Sequence, residues 1–158
     1  MSKYRIGRLG ACAAGCLATC LLPVAAAASP ELSGAWVRAL PPSQSLTAAY
    51  LSVHNPGTEA VVVVGARADV AGSVEIHTTR EVDGMVRMEQ LEELRVAPGG
   101  DVALEPGGAH LMLLDLARMP APGEEVRLCL QLASGGEVCT VATARKSAAP
   151  DRGAHDHH

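Results

Sequence analysis

Past Ser29 the hydrophobic positions come in short runs, either alternating with polar residues or β-branched throughout, and no stretch sustains a helical period. Clusters of Pro, Gly, Asn and Asp separate the runs at intervals of about eight to twelve residues, the spacing of an all-β sandwich or barrel. Strands are predicted over 32–39, 47–54, 61–64, 74–82, 85–94, 102–104, 110–116, 126–132 and 137–144. That makes about nine, in the range of a Greek-key sandwich.

The breaks have chemical reasons. Pro41-Pro42-Ser43 ends the first strand. In Asn55-Pro56-Gly57, proline fixes φ and glycine admits positive φ. Asp83-Gly84 between two alternating runs is a strong two-residue hairpin signal. Pro98-Gly99-Gly100-Asp101, Glu105-Pro106-Gly107-Gly108, Pro120-Ala121-Pro122-Gly123 and Ser134-Gly135-Gly136 supply the remaining turns. No internal repeat is present.

The Asp83-Gly84 hairpin fixes a register. Val82 should oppose Met85, and Thr79 should oppose Met88. His77, Thr79 and Met88 then share one face while Met85 points the other way. His77 and Met88 become diagonal neighbours, roughly 7–8 Å apart at the backbone. Further on, His110 and Met112 sit two apart on one strand face, about 6.6 Å along it. Two imidazole–thioether pairs thus have a route to a single ion. Each Met by itself is most simply core filler; the repeated His–Met pairing is what argues for a site.

The donor set selects the metal. Thioethers are soft and favour Cu(I), whereas zinc prefers thiolate, imidazole and carboxylate, and calcium and magnesium prefer oxygen. A blue-copper electron carrier needs a Cys thiolate beside two His, and no Cys lies near His110. Four neutral ligands leave the charge of Cu(I) in place, which suits an ion held for release.

Composition sharpens this picture. The chain has 158 residues, 48% of them hydrophobic, with no Phe and only Tyr4, Tyr50 and Trp36 aromatic, so the core must be aliphatic. Lys3, Arg5 and Arg8 precede an apolar stretch from Leu9 to Val24 that is short for a membrane span. Ala26-Ala27-Ala28 then offers a cleavage site: an export signal over 1–28, leaving no stable membrane insertion after cleavage near Ala28. Leu17-Ala18-Thr19-Cys20 loosely resembles a lipidation box, a lesser alternative. Losing residues 1–28 removes three cations and no acid, moving the net charge from −4 to −7. An acidic chain with no basic run argues against nucleic acid as a partner. Cys12, Cys16 and Cys20 lie in the signal, so Cys129 and Cys139 remain as a pair in an oxidising compartment. A loop of odd length such as Ala133-Ser134-Gly135 would set them directly opposite for a structural disulfide; the absence of Cys-x-x-Cys disfavours a redox-active pair.

The spacing His77-x10-Met88-x21-His110-x-Met112 resembles the signature of the periplasmic copper chaperones of the PCuAC family. The likeness covers most of the mature domain. Ala35-Trp36-Val37-Arg38-Ala39 is similar to the family's opening strand, Ala48-Ala49-Tyr50-Leu51 and Asn55 to the second, and Val74-Glu75-Ile76-His77 to the strand with the first ligand. Pro106-Gly107-Gly108-Ala109-His110-Leu111-Met112-Leu113 is similar to its most recognisable segment. The resemblance implies a cupredoxin-like Greek-key sandwich or barrel, with Cu(I) bound by His77, Met88, His110 and Met112. It also implies delivery of copper to cytochrome c oxidase, chiefly to the dinuclear copper centre of subunit II, alongside other copper-assembly proteins. Two departures stand out. Thr78 occupies a position where some members carry a Met, and Cys129 and Cys139 are not part of the signature.

The expected organisation is therefore an export signal over 1–28, a copper-binding domain over 29–146 and a disordered tail over 147–158. The tail holds His155, His157 and His158, which form a candidate second site for Cu(II). His54, without a Met partner, reads as structural or surface, and Glu89, Glu92 and Glu93 as a solvated face that could also steer docking. The expected function is a periplasmic, monomeric, non-enzymatic Cu(I) metallochaperone. A copper buffer conferring tolerance and a thiol-redox protein acting through Cys129 and Cys139 are the alternatives.

Overall fold

A computed structural model describes residues 28–146 as ten β-strands without a helix. The expected export segment, apart from Ala28, and the expected tail with His155, His157 and His158 lie outside the described residues. The strands are β1 (Glu31–Arg38), β2 (Thr47–His54), β3 (Val61–Ala68), β4 (Ala71–Val82), β5 (Met85–Leu91), β6 (Leu94–Val96), β7 (Asp101–Leu104), β8 (His110–Leu116), β9 (Glu125–Leu132) and β10 (Glu137–Arg145). No described helix is long and apolar enough to cross a membrane.

The strands join in the order β5-β4-β8-β2-β1-β10-β9-β3-β6, with β7 also paired to β2. The path folds back on itself to make two layers, bridged by β1, which pairs antiparallel with β2 and parallel with β10. Val37, Leu51, Val53, Ile76, Leu111 and Leu113 from one layer meet Val63, Val96, Val126, Leu128, Leu130 and Ala142 from the other. The core is aliphatic, as the lack of Phe requires. This is the all-β sandwich that the turn spacing predicts.

Two boundaries differ from the expected ones for a physical reason. The predicted strand 85–94 is two strands, because β5 pairs with β4 in one layer while β6 pairs with β3 in the other. The chain crosses between layers at Glu92-Glu93, where two adjacent acids remain in water. The predicted strand 61–64 runs on to Ala68, past a register shift between Val63 and Gly65. That shift moves Val64 outward and brings Ala66 and Ala68 to the core.

A second bulge decides the chemistry of the outer face. Between Ser33 and Trp36 the register of β1 against β2 slips by one residue, at Gly34, whose φ of 63° suits glycine. Before the slip Leu32 packs on the core; after it Val37 does. The inserted residue turns Trp36 and Arg38 away from the core, onto the face that carries His110 and Met112.

Asn55 explains its own turn. It is buried at 0% exposure, its amide donates to the carbonyls of Glu59, Val96 and Ala97, and its oxygen accepts from Gly57 N–H. One side chain thereby ties the β2–β3 connection to the end of β6. His54, at the neighbouring strand end, pairs with Asp101 at 2.9 Å on the surface.

Candidate metal centre

The four singled-out residues lie on one outer face of the β5-β4-β8 layer. Asp83 and Gly84 both have positive φ, 54° and 73°, as a type I′ turn requires. The turn sets Val82 opposite Met85 and Thr79 opposite Met88, the register read from the sequence. His77 pairs with Gln90, so Met88 is its diagonal neighbour on β5. On the other flank of β4, His77 stands directly opposite His110 and Glu75 opposite Met112. Ile76, Leu111 and Leu113, which alternate with these residues, point into the core. The His77–His110 pairing has no direct sign in the sequence, because the strands that make it are separated by more than the hairpin.

The two imidazoles are 6.0 Å apart between ring centroids. Their environments fix which nitrogen of each is available. His110 is 5% exposed and its Nδ1–H donates to the Gly108 carbonyl at 3.0 Å, leaving Nε2 as the nitrogen free to ligate. The same carbonyl accepts the Thr79 N–H, so the Gly107-Gly108 loop is pinned to β4. His77 is bonded through Nε2 to a Glu75 carboxylate oxygen at 2.8 Å. Its Nδ1 is buried and has no hydrogen-bond partner. A buried polar atom left unpaired costs about 1–3 kcal/mol, and a ligated ion would remove that cost. Carboxylate–imidazole–metal chains of this form are the usual way a protein orients a ligating His. A separation of 6.0 Å also leaves room for one ion at about 2 Å from a nitrogen of each ring.

The sulfurs differ in exposure. Met112 is partly buried between β4 and β2, opposite Ala48. Met88 is 56% exposed on a hairpin that stands clear of the core. Both line a cavity of about 270 Å³ with Arg38, Tyr50, Pro106 and His110. His77 does not line that cavity; its ring lies 6.0 Å from that of His110, which does. Burial raises the Tyr50 hydroxyl above its ordinary pKa, with the Arg38 guanidinium opposing. The cavity is therefore bounded by the buried His110 and open at the exposed Met88.

Several residues at the site were not singled out from the sequence. Glu75 is one; its signal was available, since residues two apart on a strand share a face. Tyr50 and Arg38 are the others, and for Arg38 no local signal existed, because the Gly34 bulge sets the face.

Cys129 and Cys139 are directly opposite on β9 and β10 and form a disulfide. The closing loop is the odd-length Ala133-Ser134-Gly135, with Leu132 N–H bonded to the Gly136 carbonyl. Cys129 is fully buried, and beside it Arg67 clamps Glu137 through three hydrogen bonds. Glu137 and the two sulfurs lie close enough to suggest a metal group. Joined sulfurs carry no thiolate, which removes the donors such a group would need.

The comparisons with known proteins agree with this fold. The LpqE-like family model matches residues 31–144. A curated relative from Leifsonia xyli subsp. xyli, "Putative lipoprotein Lxx21020", is 31% identical over 128 residues, covering 80% of this chain and 76% of its own. The Cu(I) form of DR1885 from Deinococcus radiodurans superposes with a TM-score of 0.59 at 34% identity, covering 72% of this chain and 76% of that one. The copper-bound PCuAC domain of PmoF2 gives a TM-score of 0.63 at 21% identity over 77% of this chain and 97% of that domain, a likeness of fold. The fold is accordingly the cupredoxin-like sandwich of the PCuAC domains.

Proposed function

Since this chain belongs to the LpqE-like family of PCuAC-type domains, we propose that it is an exported copper metallochaperone, a carrier and not an enzyme. Copper is its cargo, taken as Cu(I) by His77, Met88, His110 and Met112. The observation that carries this reading is the His77–His110 pair: two facing imidazoles with one nitrogen each tied down, and the remaining His77 nitrogen buried with nothing to bond. The softness of two thioethers selects the monovalent ion, and the Cu(I) form of DR1885, at 34% identity, supports that oxidation state.

The gradient of exposure suits transfer over storage. His110 anchors the ion from inside, while Met88 is in water and on a projecting hairpin. A neutral thioether at the mouth can be exchanged for an incoming ligand without moving the core. We assign delivery to the dinuclear copper centre of cytochrome c oxidase subunit II, in the periplasm, as the destination. The lipoprotein names of the family and of the Leifsonia relative support export. They also bring lipid attachment at Cys20 back beside cleavage near Ala28. The bond between a fully buried Cys129 and the exposed Cys139 across the β9–β10 hairpin supports a structural role for the two over thiol exchange with a partner.

Mixing the Cu(I)-loaded mature chain anaerobically with the apo copper domain of oxidase subunit II should move the metal to that domain, as followed by absorbance after oxidation. Metal that stays on the carrier, or that moves no faster than free Cu(I) does from a chelator of equal affinity, would rule out delivery and leave the buffer reading. Glu75→Gln provides a finer test of the His77 geometry. Loss of the carboxylate frees the His77 ring, and Cu(I) affinity should fall about 10–100-fold. Unchanged affinity in a competition titration would show that Glu75 does not orient His77.

A further inference from the structure

Arg38 and Arg145 stand directly opposite each other where β1 and β10 run parallel. Both belong to the outer face, since Val37 and Ala144 beside them point into the domain. Four other arginines, Arg67, Arg80, Arg95 and Arg118, each have a carboxylate partner, while Arg87 and Arg127, which have none among the described residues, are exposed single charges. Among the described residues no carboxylate pairs with Arg38 or Arg145, and the Nε of each is buried without a hydrogen-bond partner. Like charges opposite one another on adjacent strands repel. In a chain of net acidic charge, such a pair is conspicuous for lacking its counter-charge.

The two guanidiniums are also held in place. Arg38 lies 5.5 Å from the Tyr50 ring centroid and Arg145 4.7 Å from that of Trp36, and the two rings pack at 4.4 Å. The arginines roof the aromatics, which are only 5% and 4% exposed. Stacking of this kind orders a long side chain before any ligand arrives. Arg38 is in addition a wall of the cavity shared by Met88, His110 and Met112. The charge pair and the metal centre are therefore neighbours on one continuous surface.

We infer that Arg38 and Arg145 form the docking point for a carboxylate on the acceptor protein, placed beside the acceptor's own copper ligands; this rests on the copper-carrier reading above. The occupant is an acidic protein surface because of the shape of the patch. The arginines sit over the rings, and only Arg38 lines the cavity, so a small anion would stay in water on its outer side. A protein surface would exclude that water, and charge-assisted contacts strengthen as the local dielectric falls. Anchoring at the arginine pair brings the partner over the cavity mouth, where Met88 is exposed and available to exchange.

The test uses the mature chain and two synthetic acceptor peptides that each carry two cysteines, one flanked by glutamates and the other by glutamines. Trp36 is the only tryptophan in the protein and lies beneath Arg145, so its fluorescence reports binding, with calorimetry as a second readout. The acidic peptide should bind the apo chain saturably, with affinity falling as salt rises, and acetate at equal carboxylate concentration should give no response. Arg38→Gln/Arg145→Gln should bind the acidic peptide at least about ten-fold more weakly, while Arg80→Gln/Arg95→Gln should match the wild type. Cu(I) should pass from the loaded chain to the acidic peptide faster than to the glutamine peptide, and Arg145→Gln should erase that difference without changing Cu(I) affinity. Equal binding by the double variant, an equal response to acetate, or equal transfer rates to the two peptides would each overturn the docking assignment. A fall in Cu(I) affinity in Arg145→Gln would overturn it as well, by making the arginine part of the metal site. A wild-type chain that binds no Cu(I) would instead refute the carrier reading, and the apo-peptide binding would still stand or fall separately.

Discussion

Replacing His110 by alanine is expected to weaken Cu(I) binding by more than about 100-fold, since loss of an outer partner of a ligand already costs 10–100-fold. His110 is the most buried of the four donors and the one whose free nitrogen is set by the Gly108 carbonyl. Its removal takes away one of only two nitrogen ligands and leaves His77 facing an empty place. The substitution also disturbs packing: the Gly108 carbonyl loses a donor, worth about 1 kcal/mol. A companion variant separates the two effects. Met112→Leu conserves volume and should change stability by less than about 1.5 kcal/mol. It removes a soft donor all the same, so Cu(I) affinity should drop by at least about ten-fold while the melting temperature stays near that of the wild type. Competition with a chromophoric Cu(I) chelator under anaerobic conditions reads both. Wild-type affinity in both variants would mean that the His–Met face is not the copper site.

The second large effect concerns stability. Cys129 and Cys139 are ten residues apart and close a short loop at the end of the β9–β10 hairpin. Chain-entropy reasoning gives a bridge over such a loop about 2–3 kcal/mol. For a domain of this size, that corresponds to a drop in melting temperature of about 10 °C on Cys129→Ser/Cys139→Ser. Cu(I) affinity should be untouched. β9 and β10 lie beyond β1 in the sheet, whereas His77, His110 and Met112 lie on β4 and β8 before it. A variant that melts with the wild type but fails to hand over copper would revive the thiol-redox alternative. The reverse pattern, unstable but competent, is the one expected of a structural bridge.

Much of the site could be read in one dimension because its parts are local. Asp83-Gly84 dictates a two-residue turn, and the turn dictates that Met88, not Met85, shares a face with His77. The alternation His110-Leu111-Met112-Leu113 puts nitrogen and sulfur on one side and two core leucines on the other. The odd loop that sets Cys129 against Cys139 was likewise available as an arithmetical option. The division of 85–94 into β5 and β6 was not, since a run of strand-forming residues does not say which neighbour it will pair with.

By itself the sequence determined the strand class, the aliphatic core, the soft donor set and the contents of each hairpin. These follow from side-chain chemistry and a period of two, which act within a few residues of one another. Only the tertiary structure decided that β4 and β8 are neighbours and that His77 meets His110. The same holds for the buried nitrogen of His77, left without a partner, and for a single bulged residue at Gly34 that turns Trp36 and Arg38 outward beside the proposed metal donors. Strand order and bulges are set by how the two layers share one core. That is a property of the whole packed domain, and no window of the chain contains it.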